Sequence, residues 1–264
     1  MTTNTYKITR FKAFAIHIGI SIAIFLCLLV LLLGYWYQAP FFDLEDGPRA
    51  IQIILFVDVV LGPVLTLIVF KPGKPGLKFD LSLIALFQLS ALVYGIWMVQ
   101  VARPVAVLLT YDALYVASYR TIKESEIPKA EIDKIIGLEP TYLYINLPAE
   151  QADFIAISMQ ALKESRAIEL LYKYAEPLSL SNKKQTATIA VDIEKYTDSS
   201  PEWSAKLQHF LAENKRLIDT IIFLPIKARR GKFFLAIDKN SGEIIDYLDV
   251  PFVENLAIKA RVAN

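Results

Sequence analysis

The side chains best placed to do chemistry in this chain are a lone acid, Asp58, within the apolar run 51–70, and four cations around a glycine turn, Lys227, Arg229, Arg230 and Lys232. An ionisable group inside hydrocarbon is costly and is expected to face a bundle interior or a partner. Three uses are open to Asp58: a hydrogen-bond acceptor between neighbouring helices, a contact for an incoming transmembrane helix, or an ion relay. At ~1.5 Å per residue it lies ~10 Å inside the outer end of its helix. Tyr94 on the next, antiparallel helix reaches that depth, whereas Gln88 sits ~9 Å further down, so Tyr94 is the expected hydrogen-bond partner. Ala91 and Gly95, four residues apart, form a small face that permits close helix approach. Gly62 and Pro63 are expected to kink the helix, because proline removes a backbone donor, and a kink beside Asp58 would open a lateral notch. The basic cluster reads either as a solvated turn or as a contact for an acidic partner.

Other chemistries lack their residues. A single cysteine, Cys27, cannot form an intrachain disulfide, and His17 and His209 are the only histidines, too few for the usual metal sites. No G-x-S-x-G elbow occurs, and Gly73-Lys74 lacks the upstream glycine and following Ser or Thr of a phosphate-binding loop. His209 reads as a surface or boundary residue. The chain is therefore expected not to be an enzyme, and to use no cofactor and no metal. With 28 Lys and Arg against 27 Asp and Glu there is no basic field to hold nucleic acid.

The elements that must position these residues begin with a membrane. Of the 264 residues, 55% are hydrophobic, and the mean hydropathy is +0.41, too apolar for a soluble globule. Apolar runs at 14–37, 51–70 and 79–102 each approach the ~20 residues a spanning helix needs. The first exceeds a signal-peptide core of ~7–15 residues and has no A-x-A site after it, so it is expected to stay attached. Lys7, Arg10 and Lys12 precede the first span and Lys71, Lys74 and Lys78 follow the second, whereas the 38–50 loop carries Asp43, Glu45, Asp46 and only Arg49. Positive flanks resist translocation, which places the N-terminus in the cytoplasm and everything after residue 102 across the inner membrane in the periplasm of a Gram-negative cell. Tyr35, Trp36 and Tyr37 mark the outer interface of the first span.

Residues 1–102 thus read as a membrane domain and 103–264 as an α+β periplasmic domain, with 21 basic and 22 acidic residues in the latter. Strands at 105–110 and 113–118 flank Tyr111-Asp112 as a hairpin. Helices are expected from Pro128 to near Gly137, from Pro148 with a stripe of Phe154, Ile157, Ala161 and Leu162, over 168–174, and from Pro201 to about Lys215. Strands at 220–228, 232–238 and 243–250 with short turns form a C-terminal antiparallel meander. Lys183, Lys184 and Gln185 read as an exposed loop.

Asp58, Gly62 and Pro63, the Lys71-Pro-Gly-Lys-Pro-Gly76 loop, Asp80, Gln88, Tyr94, Gly95, Arg103 and Pro104 together resemble the TfpX/TfpZ family of type IV pilin accessory proteins. The likeness extends along the chain, including the strand around Phe223–Ile226, and is most specific between residues 58 and 104. The resemblance implies a non-enzymatic, chaperone-like inner-membrane protein that helps its cognate type IV major pilin into pili, alongside other inner-membrane assembly components. On this reading Asp58, Gly62, Pro63, Gln88, Ala91, Tyr94 and Gly95 meet the pilin helix, and Lys227, Arg229, Arg230 and Lys232 meet the pilin head. A membrane-tethered periplasmic ligand-binding or sensory protein is the alternative, but the cytoplasmic segments are too small to hold an output domain.

Overall fold

The computed structural model describes residues 8–146, Met159 and 172–260. Among the described residues, three helices are long and apolar enough to cross a membrane, Arg10–Trp36, Gly47–Val69 and Leu77–Ala102, each within a few residues of the expected span. The first is α1 (Arg10–Leu31), started by the Thr9 hydroxyl accepting from the Lys12 N–H at 3.3 Å, and it continues as a π-turn over Leu32–Trp36. After the short α2 (Phe41–Leu44), the second span is built from α3 (Gly47–Leu55), a π-helical stretch Phe56–Leu61 and α4 (Gly62–Val69). The third is α5 (Leu77–Ala102). Phe11, Ile20, Phe56, Ile68 and Phe87 point outward, whereas the polar Ser21, Asp58 and Thr66 are buried. That inside-out arrangement is what a lipid solvent selects.

The described residues fall into two compact units. One holds the chain up to Gln38 together with Asp46–Ala102; the other holds everything from Arg103 onward together with Ala39–Glu45. The seven-residue segment Ala39–Glu45 links the first two spans yet folds with the C-terminal unit.

The C-terminal unit is a seven-stranded mixed sheet among the described residues. Its strands are β1 (Pro104–Leu109), β2 (Leu114–Ser118), β3 (Thr141–Ile145), β4 (Ala175–Pro177), β5 (Ile221–Ala228), β6 (Gly231–Asp238) and β7 (Ile244–Leu248), in the order β4-β3-β1-β2-β5-β6-β7. The expected hairpin and the expected meander are both present as antiparallel pairs. Parallel pairings, β1 with β3 and β2 with β5, join them into one sheet.

Alternation along β5 and β6 explains why these runs are almost wholly apolar. Ile221, Phe223, Phe234 and Ala236 face one core with Tyr196, Leu207 and Phe210, whereas Leu224, Ile226, Leu235 and Ile237 face a second core. Covering the first face are α9 and α10, in chain order after α6 (Tyr119–Lys123), α7 (Lys129–Ile135) and α8 (Lys183–Thr186); α9 is Ile193–Thr197 and α10 is Pro201–Asn214. A last helix, α11 (Glu254–Lys259), adds Ala257 to this core. The second core takes in Phe41 and Leu44 of the interhelix segment, both essentially inaccessible.

Local departures from the sequence reading have local causes. Lys183, Lys184 and Gln185 form the single turn of α8 rather than a loop, because Asn182 accepts the Lys184 N–H through Oδ1 and the Thr186 N–H through its carbonyl. The helices expected from Pro148 and over 168–174 lie outside the described residues apart from Met159 and residues 172–174. At Gly242, φ is +73°, and an added Cβ would collide with the backbone of Ser181. Only glycine closes that turn at the end of β6.

Candidate functional site

The polar interior of the helical unit is set by a register change. In the π-helical stretch the Gly62 N–H donates to Val57 O, five residues back. Continuing that register, the donor for Asp58 O would be residue 63, but Pro63 has no N–H, so the Asp58 carbonyl is left without an intrahelical partner. Gln88 supplies it: its Nε2 donates to Asp58 O at 3.2 Å. Gly62 makes the approach possible, since a Cβ there would run into the Gln88 amide. Gly62, Pro63 and Gln88 are thus one device, a vacant carbonyl and the side chain that fills it.

Replacing Gly62 with alanine should therefore lower the stability of the bundle by about 1–3 kcal/mol, the usual penalty for a buried group deprived of its hydrogen bond. Gln88→Leu should fall in the same range, and the double variant should be little worse than either single one, as thermal unfolding in detergent micelles would show. Fully additive losses would mean that the two positions act separately.

Tyr94 is not the partner of Asp58. Its side chain is 61% exposed and lies against Trp97, ring centroids 5.8 Å apart. Asp58, at 7% exposure, accepts no hydrogen bond at its carboxylate from any described residue. It lies instead between two cavities. One, of about 170 Å³, is lined by His17, Ser21, Asp58 and Gln88 with apolar neighbours, and His17 Nδ1 lies 2.6 Å from Thr66 Oγ1. The other is a groove of about 400 Å³ that brings Asp58 together with Ala91, Tyr94 and Gly95. At the groove floor Gly95 lies against Ile54, where an added Cβ would approach Ile54 Cγ1 to 3.3 Å. The sequence reading passed over His17 and Thr66 as partners, although a histidine and a threonine in separate apolar spans carry the only available signal, that of polar groups needing each other.

The basic hairpin tip is neither a plain solvated turn nor an unpaired patch, because each cation has an acid of this chain beside it. Lys227 Nζ donates to Asp112 Oδ2 at 2.6 Å, to the Tyr115 hydroxyl at 2.7 Å and to Glu254 Oε1 at 3.1 Å. Burial works against its charge, but these bonds outweigh burial and hold its pKa above the usual lysine value. Lys232 shares Glu254 at 3.3 Å. Arg230 lies 3.3 Å from Asp43 and 3.4 Å from Asp249, and donates also to the Tyr247 hydroxyl, which itself donates to Asp43 at 2.6 Å. Arg229 gives its backbone N–H to Glu45 Oε1 at 3.2 Å and sets its guanidinium 3.6 Å from Oε2. The Arg230 N–H closes the contact on Leu44 O at 2.9 Å.

The tip is thus a clasp on the interhelix segment. Glu45 lies inside it with its side chain 5% exposed, and burial pushes its carboxyl up to about 7 against the opposing pull of the Arg229 N–H and charge. Charge reversal at Arg229 or Arg230 would set acid against acid within the domain, so it cannot serve as a lesion confined to an outer surface.

No family model matches the sequence, and no solved structure matches it. Curated proteins do. A fimbrial assembly protein of serogroup E1 from Dichelobacter nodosus is 36% identical over 122 residues, 45% of this chain and 47% of that protein. The serogroup I protein of the same organism matches to the same identity and extent. The fimbrial assembly protein of serogroups C1 and C2 is 35% identical over 122 residues, 45% of this chain but 92% of that relative. The chain belongs to the fimbrial assembly protein family. It spans about half the length of the first two relatives.

Family membership assigns no role to a particular side chain, so the roles rest on geometry. In the bundle the structure joins Asp58 to Gln88, Gly62 and Pro63 on one side and to Ala91, Tyr94 and Gly95 on the other. The four basic residues stand on a different unit and have a different use.

Proposed function

We propose that this chain is an inner-membrane accessory protein of the TfpX/TfpZ type, which binds its cognate type IV major pilin and promotes its assembly into pili without catalysing a reaction. The similarity to fimbrial assembly proteins carries this reading. The architecture supports it: a pilin that waits in a membrane with a helix below and a head above needs a helper with both a bundle and an outer domain. In this reading the bundle meets the helix and the sheet domain meets the head, with other inner-membrane assembly components as further partners. The N-terminus lies in the cytoplasm and the sheet domain in the periplasm. In support of that orientation, Ala39–Glu45 folds with the residues from Arg103 onward, so the two spans between them return the chain to the side it left.

The test is capture. Affinity-tagged full-length chain, solubilised from cells that make the cognate pilin, should retain that pilin, and deleting the chain should reduce surface pili. A clean preparation without pilin, together with normal piliation in the deletion strain, would remove the proposal.

A further inference from the structure

The groove beside α5 is almost entirely apolar except for one group. Asp58 is 7% exposed, no described residue donates to its carboxylate, and yet it lines the groove directly. Gln88, whose amide lines the cavity with Asp58, donates to the backbone carbonyl of Asp58 rather than to its carboxylate. Of the other polar groups that line the cavity with Asp58, His17 is engaged through Nδ1 with Thr66, and Ser21 makes no hydrogen bond to the carboxylate. A buried acceptor with an empty side facing lipid is a vacancy for a donor. The surrounding shape fits a helix. Ala91 lets a backbone come close, Gly95 accommodates Ile54 at the floor, and Ile53 and Met98 form apolar walls.

We propose that this groove binds a transmembrane helix which carries a hydrogen-bond-donating, cationic side chain at the depth of Asp58. The inference rests on the reading that the chain engages a membrane-anchored partner, and it adds the chemistry by which that partner is recognised. The occupant is another protein's helix rather than a second copy, because two copies meeting at this groove would bring two unpaired carboxylates together. Asp58 accepts the donor, Ala91 sets the closeness of approach, and the apolar walls hold the rest of the helix without choosing among sequences.

The experiment uses the full chain in phosphatidylcholine vesicles with two fluorescent poly-leucine spanning peptides, one all leucine and one with a single central lysine. Energy transfer from the labelled chain reads binding, and mutual repulsion keeps the lysine peptides apart. The lysine peptide should bind about tenfold more tightly than its control, the upper range for an interhelical hydrogen bond. Asp58→Leu should abolish the difference, and Asp58→Asn, an acceptor without the charge, should retain part of it with helix content unchanged by circular dichroism. Ala91→Ile, at an exposed position lining the groove, should weaken both peptides by filling it. Equal binding of the two peptides to the wild-type chain, or a difference that survives Asp58→Leu, overturns the proposal. So does energy transfer between differently labelled copies that the lysine peptide cannot compete away. Pilin capture is independent of these arms: pilin retained by a chain that does not discriminate the peptides places the pilin elsewhere and leaves the accessory role standing.

Discussion

Replacing Phe41 with alanine should lower the stability of the sheet domain by about 3–5 kcal/mol, the range for deleting a fully buried phenyl ring. The residue sits between two spans and by sequence belongs to a loop, yet it is 1% exposed and packs with Leu109, Leu114, Leu224 and Leu235 on the second face of the sheet. Removing the ring leaves a cavity that the strands cannot collapse to fill, because their spacing is held by the sheet ladder. Urea-dependent pulse proteolysis of the purified full chain in micelles would measure the loss. Ile53→Ala, at a site 61% exposed on the helical unit, provides the contrast and should change that unfolding by about 0.5 kcal/mol or less. A Phe41→Ala chain as stable as wild type would mean that the segment only rests on the sheet. For the same reason, a chimera that exchanges the sheet domain with a relative's should carry residues 39–45 along; otherwise one face of the new domain meets the wrong segment.

How much of this was legible in the sequence depended on whether the signal was local. Long apolar runs located the three spans, and period-two patterning with short turns located the hairpin and the meander, because those features are written in consecutive residues. The parallel pairings were not legible, since nothing in 141–145 names β1 as its neighbour. Nor was the clasp: Arg229 and Glu45 are 184 positions apart, and Arg230 and Asp43 are 187 apart. An exposed-looking basic turn and an acidic loop were both visible, without the information that each was the other's partner. Asp58 shows a subtler failure. Counting depth along the helices matched it to Tyr94, but depth fixes only one coordinate of a side chain. Tyr94 and Gln88 are six residues apart, so their side chains leave α5 about 120° apart, and Gln88 is the one that hydrogen-bonds Asp58, through its backbone carbonyl. The vacant carbonyl was foreshadowed by Pro63 alone, which removes a donor whose acceptor depends on whether the preceding turn is α or π.

Glu45 should make the clasp sensitive to pH over a window that ordinary carboxylates do not reach. Its carboxyl is raised to about 7 in the folded chain, against 4.5 when solvated, so between these values the folded state holds a proton that the unfolded state has released. Stability tied to this group is therefore fully present below about pH 4.5, falls as the pH rises, and is lost once the pH passes about 7. Its full size is on the order of 3 kcal/mol. Asp112 opposes this trend: its burial is outweighed by its bonds to Lys227, Thr110 and Tyr115, so it is held below the usual range and favours folding as it ionises at lower pH. The Glu45 contribution is isolated by Glu45→Gln, which keeps an oxygen for the Arg229 N–H, mimics the protonated acid and cannot titrate. Unfolding free energies of the two full-length chains, measured from pH 4.5 to 8 in micelles, should converge at the acid end and separate progressively, with Glu45→Gln the more stable above pH 7. Parallel curves would show that Glu45 keeps its charge inside the clasp and that the Arg229 guanidinium, 3.6 Å away, suffices to hold it. Separation in the predicted direction would make the segment between the first two spans a part of this protein that responds to the acidity of the compartment around the sheet domain, since its buried acid loses a proton in that range.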